Sequence, residues 1–173
     1  GARLPARSRR MMMSVLDKGR VGIAALAVGI AQAGLEAAVD YAQQRKQFKK
    51  PIAEFQAIQW KIADRYTDLE AARLLLMNAA YLKEQGRSFA KEASMAKLFA
   101  SEAANRACYD AMQILGGAGY LRGNRIERIY REVKVIAIGG GSVLDAAKAI
   151  AGLLRIPESF EVVCLLTVGF PVE

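Results

Sequence analysis

The sequence contains no histidine at all. That absence excludes imidazole acid-base catalysis, Ser-His and Cys-His nucleophiles, and the usual His-ligated zinc and non-haem iron sites. Cysteine is scarce. Cys108 and Cys164 stand far apart in apolar surroundings, with no CxxC spacing, so both are expected to be buried small hydrophobes of a protein kept in a reducing, cytoplasmic compartment. No run of about 18 uninterrupted apolar residues is present, so a soluble chain with no membrane partner is expected. The apolar stretch Val21 to Ala31, followed by Ala31-Gln32-Ala33, has some look of a secretion signal. Asp17 breaks its basic start, however, and the helical pattern runs on to Tyr41. Acidic residues are in deficit, 17 against 25 Lys and Arg, which leaves a net charge of +8. Such a surface attracts phosphates of any kind. Aromatics make up only 8% of the chain and are not interleaved with the basic residues, so no nucleic-acid partner is expected.

At 173 residues with 53% hydrophobic content, the chain has material for one core and is too short for a complete multidomain enzyme. Residues 1–12 read as a disordered basic leader, with four Arg among the first ten. Residues 13–136 read as a helical bundle and residues 137–173 as a tail of different texture. From Ser14 to about Gln44 the segment is Ala-rich and free of Pro, with Glu36, Asp40 and Gln43 on one solvated stripe. The basic turn RKQFKKP spans Arg45 to Pro51. A second helix is expected from Ile52 to Gln85, ended by Gly86, and a third from Ser88 to Leu115, ended by Gly116-Gly117. In that third segment Phe89, Ala93, Ala96, Ala100, Ala103 and Ala107 share a face while Met95, Leu98, Met112 and Leu115 lie on others. A helix with small or apolar residues on several faces needs cover on several sides, which suits a central position. Three helices of this length would be about 40 to 50 Å long, the proportions of an antiparallel up-and-down bundle. The fold class is therefore all-α. In the tail, Val133 to Ile138 reads as a β-branched strand-like run, Gly139 to Gly141 as a turn, Ser142 to Leu154 as a helix and Glu161 to Val168 as a strand.

Two corners could carry chemistry. Arg45 offers a planar fork that matches a diphosphate, and Phe48 a flat face for a ring system; a solvated charged loop would have the same composition. The adjacent glycines of Gln113-Ile114-Leu115-Gly116-Gly117 permit a close backbone approach that a Cβ would block, although a plain helix stop uses glycine too.

Taken in order, four blocks resemble the C-terminal helical domain of the acyl-CoA dehydrogenase flavoenzymes: LDKGRVGIAA (Leu16 to Ala25), GIAQAGLEAAVDYAQQRKQFKKPIAEFQAIQ (Gly29 to Gln59), QILGGAGY (Gln113 to Tyr120) and RIYREVKV (Arg128 to Val135). The resemblance covers about residues 13–138. It implies that Arg45 reaches the diphosphate of an FAD held mainly by a neighbouring subunit, with Phe48 beside it. It further implies that Gln56, Gln113, Gly116 and Gly117 line that site, and that Asp17 and Arg20 lie at the acyl-CoA site. By the same resemblance the protein is a homo-oligomer, dimer or tetramer, working in fatty acid metabolism with an electron-transfer flavoprotein. The implied reaction is α,β-desaturation of an acyl-CoA thioester, in which a carboxylate of raised pKa takes the α-proton.

Here the sequence departs from the family pattern. The usual catalytic glutamate position is matched by Gly140, and the alternative position by Gly19. Neither glycine can abstract a proton, so no catalytic residue and no metal site is expected, and the chain alone should be inactive. The tail AIGGGSVLDAAKAIA (Ala137 to Ala151) is similar to the GGGSxxDxAK motif of iron-dependent alcohol dehydrogenases. That family holds its metal largely with histidines, which are missing here. The segment is equally readable as a variant of the flavoenzyme turn or as a fusion. The competing functional reading is a non-enzymatic helical scaffold that kept the bundle and lost the flavin.

Overall fold

A computed structural model of the chain describes residues 6–138, with side chains described from 14 to 134. It contains α1 (Ala6–Gln44), a two-stranded hairpin of β1 (Lys46–Gln47) and β2 (Lys50–Pro51), one 3-10 turn (Ile52–Glu54), α2 (Gln56–Glu84), α3 (Ala90–Leu115), the single turn α4 (Gly117–Tyr120) and α5 (Arg125–Ile138). The expected turn, helix and strand after Ile138, and the Gly140 position, lie outside the described residues.

The direction of each helix follows from what its two halves bury. One apolar cluster joins Ala24, Ala27, Val28, Ala31 and Leu35 of α1 to Leu69, Ala72 and Ala79 of α2, to Ala96 through Cys108 of α3, and to Ile129 and Val133 of α5. The other joins Ala38 and Ala42 to Ile58 and Ile62, to Ala111, Ile114 and Leu115, and to Ile126. Thus α1 and α3 run one way, α2 and α5 the other, giving the expected up-and-down bundle with α3 packed on each of the other long helices. Alanines fill both sides of the α1–α3 seam: Ala96, Ala100, Ala104 and Ala107 are almost fully buried in one cluster with Ala24, Ala27 and Ala31. Small side chains let the two backbones approach closely. At Gly34 an added Cβ would meet the Cys108 Sγ at 3.4 Å. Charged pairs fasten α2 to α3, with Lys61 Nζ 2.6 Å from Asp110 and Arg106 Nε 3.2 Å from Asp68.

α1 is long and apolar enough to cross a membrane by length and composition, its best window averaging a hydropathy of 1.6. In the bundle its alanine stripe is instead covered by α3. Three expectations need correction. α1 starts at Ala6, within residues 1–12 that were expected to be a disordered leader. Ala, Arg and Met all propagate helix well, and no proline follows Pro5 to stop it. α2 starts at Gln56 rather than Ile52, because a 3-10 turn and an extended Phe55 intervene. Residues 133–138, expected as a strand-like run, close the helix α5. Ile126, Ile129 and Val133 recur at steps of three and four and are all buried, a helical period that outweighs local β propensity.

Candidate functional site

At one end of the bundle α1 passes into the arginine turn. The Arg45 amide donates to Tyr41 O at 2.8 Å, and its own carbonyl accepts from Ile52 N at 2.8 Å, closing the loop. Between these bonds Lys46 faces Pro51 and Gln47 faces Lys50. The two-residue loop has both φ values positive, 51° at Phe48 and 70° at Lys49, the geometry of a type I′ hairpin. Phe48 is 88% exposed. Its ring meets Phe55 edge to face at 6.2 Å, and Lys50 Nζ lies 4.5 Å over the same Phe55 ring. Phe55 is the N-cap residue of α2 and contributes no capping side chain. The first amides of α2, beginning with exposed Gln56, therefore have no side-chain cap at their positive end.

The end of α3 arrives at the same place. Gly116 adopts φ 57°, ψ −137°, a conformation open to glycine alone, and its amide donates to Met112 O at 2.9 Å. A Cβ added at Gly116 or Gly117 would meet no atom within 4 Å, whereas at Gly119 it would stand 3.0 Å from Leu115 Cβ and 3.3 Å from Met112 O. The first two glycines thus line open space and the third is packed. Gln113 is exposed on the last turn of α3. Beneath both corners lies one apolar floor, in which Tyr41, Ala42, Ile52, Ala53 and Ile58 pack with Ile114, Leu115 and Ile126. The structure therefore brings Arg45, Phe48, Gln56, Gln113, Gly116 and Gly117 to one end of the molecule.

Asp17 and Arg20 are not part of that end. From Asp17 to Gln44 α1 rises about 40 Å, so the two sets cannot touch one small ligand within a single chain. Arg20 Nη1 donates to Asp17 Oδ1 at 2.8 Å, and Asp17 is buried, 7% exposed. Lys97 of α3, also buried, joins this end. Burial pushes its pKa down, Glu102 opposes that shift and Arg20 adds to it. Reading the sequence missed Lys97, although its place among Ala93, Ala96, Ala100 and Ala104 on the buried face of α3 was a usable signal. It missed Asn124 as well. That side chain accepts from Ile126 N at 2.9 Å and donates to Ala118 O at 2.9 Å, tying the turn after Gly117 to the start of α5. Gly19 lies on an exposed face of α1 with nothing within 4 Å of an added Cβ. No group of three or more His, Cys, Asp or Glu suited to a metal occurs among the described residues. Burial pushes the Cys108 thiol up to about 12, so it packs as a neutral hydrophobe and not as a nucleophile.

Comparison with known proteins places this geometry in context. The sequence pattern of the family "Acyl-CoA dehydrogenase, C-terminal domain" matches residues 9–143. The chain belongs to the acyl-CoA dehydrogenase family. It is 51% identical over 138 residues to the probable acyl-CoA dehydrogenase YngJ of Bacillus subtilis, a match covering 80% of this chain and 36% of that protein. It is 48% identical over 142 residues to the CarC subunit of the caffeyl-CoA reductase-Etf complex of Acetobacterium woodii, covering 82% and 38%. Among solved structures, butyryl-CoA dehydrogenase from Megasphaera elsdenii superposes with a TM-score of 0.76 at 41% identity, covering 84% of this chain and 38% of that one. The chain thus spans little more than a third of the length of these acyl-CoA dehydrogenase relatives and corresponds to their C-terminal helical domain. The family match runs past Gly139, Gly140 and Gly141, so the glycine triplet falls within the span of the flavoenzyme domain.

Proposed function

We propose that this chain is the part of a FAD-dependent acyl-CoA dehydrogenase that grips the FAD diphosphate across a subunit contact and holds the oligomer together. The observation that carries the reading is the meeting of the arginine hairpin and the paired-glycine stop over one apolar floor at one end of the bundle. The donor set fits a diphosphate: an exposed Arg45 with no carboxylate partner among the described residues, the uncapped start of α2 beside Gln56, and open space over Gly116 and Gly117. Arg45 would supply the charge-assisted fork, Gln56 and Gln113 amide contacts, the two glycines close backbone approach, and Phe48 a ring face. When bound, FAD supplies the hydride acceptor for α,β-desaturation of an acyl-CoA thioester.

Asp17 and Arg20 belong to the acyl-CoA side in this reading. Their separation of about 40 Å along α1 supports one chain contributing to two sites, its own thioester end and a neighbour's flavin end, and hence a homo-oligomer. With glycine at both expected base positions, Gly19 and Gly140, this chain alone is inactive. The relationship to a subunit of a reductase-Etf complex supports an electron-transfer flavoprotein as redox partner.

Titrating the purified chain with FAD tests the proposal. Saturable binding with a raised melting temperature is expected. A flat titration favours the scaffold reading instead.

A further inference from the structure

We propose that Lys49, at the tip of the hairpin, is a further phosphate contact of the flavin corner; the proposal rests on the FAD reading and extends it to a residue the resemblance did not single out. Two observations meet at this position. The first is backbone geometry. A two-residue type I′ turn needs positive φ at both positions and is normally filled by Asn-Gly, Asp-Gly or Gly-Gly. Here it is Phe48 at φ 51° and Lys49 at φ 70°, so both side chains are held in a conformation that glycine would adopt at no steric cost. Strain of this kind persists at sites where the side chain has a use.

The second observation is charge. Arg45, Lys46, Lys49 and Lys50 fall within six residues that contain no acid. Elsewhere some cations are paired, Lys61 with Asp110, Arg65 with Asp68, Arg73 with Glu70 and Arg106 with Asp68. Those without a partner among the described residues, such as Lys18, Lys83, Lys91 and Arg122, do not fall in one acid-free run of four cations in six residues. None of the four hairpin cations has a carboxylate partner among the described residues. Lys50 is engaged over the Phe55 ring, which leaves Arg45, Lys46 and Lys49 exposed at the end of the molecule where the α2 amides begin. Mutual repulsion and the left-handed backbone both disfavour the free hairpin, and a bound polyanion at the tip relieves the repulsion. Lys49 directly follows the exposed Phe48 ring, so a planar group and a cation stand on neighbouring residues. A dinucleotide presents that same pairing of ring and diphosphate.

The test compares the wild-type chain with Lys49→Gln, which removes the charge and keeps the strain, and Lys49→Gly, which removes both. Each is titrated at low salt with FAD, inorganic pyrophosphate and riboflavin, and melted without ligand. Both variants are expected to bind FAD and pyrophosphate about three- to fivefold more weakly, with the difference shrinking at high salt and riboflavin binding unchanged. The glycine variant is expected to melt above the glutamine variant. Unchanged FAD and pyrophosphate affinity in both variants, while Arg45→Ala loses binding, overturns the Lys49 contact and leaves the flavin corner standing. An equal loss for riboflavin makes Lys49 a structural residue and also overturns the contact. If the wild type binds neither FAD nor pyrophosphate, the FAD reading falls and Lys49 falls with it.

Discussion

The two ends of this bundle treat charge in opposite ways. In the first half of α1 two charges are internal: Asp17 is buried against Arg20, and Lys97 of α3 is buried near Arg20. Where α1 ends, charge is turned outward: Arg45, Lys46 and Lys49 are exposed, without carboxylate partners among the described residues, at the end of the bundle that also carries the open Gly116-Gly117 stop. The first arrangement is satisfied by the chain itself. The second leaves its cations to solvent and, in the reading proposed above, to a bound diphosphate. Substitutions at the two ends should therefore separate into those that cost stability and those that cost ligand.

The largest effect belongs to the floor beneath the outward end. Ile126 is fully buried and holds α5 against the ends of α1 and α3, so Ile126→Ala should cost about 2 to 4 kcal/mol in urea unfolding. Next comes a paired contrast. Arg45→Ala should weaken FAD binding by about 1.5 to 3 kcal/mol with little change in melting temperature. Arg20→Ala should leave FAD affinity alone but lower stability, because Asp17 is then buried without its partner. If Arg45→Ala unfolds the chain or Arg20→Ala abolishes FAD binding, the contrast between the ends is broken.

The glycines sharpen it further. Gly119→Ala meets Leu115 and Met112 at close range and should destabilise by about 1 to 3 kcal/mol. Gly117→Ala meets nothing and should fold normally, yet bind FAD less well, as thermal melts and titrations can resolve together. The smallest effect concerns pH. The buried Cys108 thiol is held up to about 12, while in the unfolded chain it ionises near its ordinary value. Above that value the unfolded state binds fewer protons than the folded one, so stability falls as pH rises from about 9 towards 12. A loss of about 1 kcal/mol near pH 9.5 is expected from this group. The check is a urea series at pH 8 and 9.5, in which Cys108→Ala should show the shallower decline.

Much of this was legible before any coordinates. The alanine period of α1 and α3, the stops at Gln44, Gly86 and Leu115, and the central place of α3 follow from small residues recurring on several faces. α5 was not legible because its cap, Asn124, and its first buried residue, Ile126, lie upstream of the β-branched run that drew attention. The hairpin was hidden for a different reason: a Phe-Lys loop carries none of the Asn-Gly signal that marks a type I′ turn. As for the site, residue chemistry alone singled out Arg45 and Gly116-Gly117 as two corners, and the family resemblance implied that both line one FAD site. The up-and-down helix order gives the physical route, because it brings the end of α1, the start of α2 and the end of α3 to the same end of the bundle.

A double-mutant cycle on FAD affinity with Arg45→Ala and Gly117→Ala tests that neighbourhood most directly. If both corners hold one diphosphate, the two losses are non-additive, with a coupling of at least about 0.5 kcal/mol. Strictly additive losses, or no loss from either change, would contradict a shared flavin site.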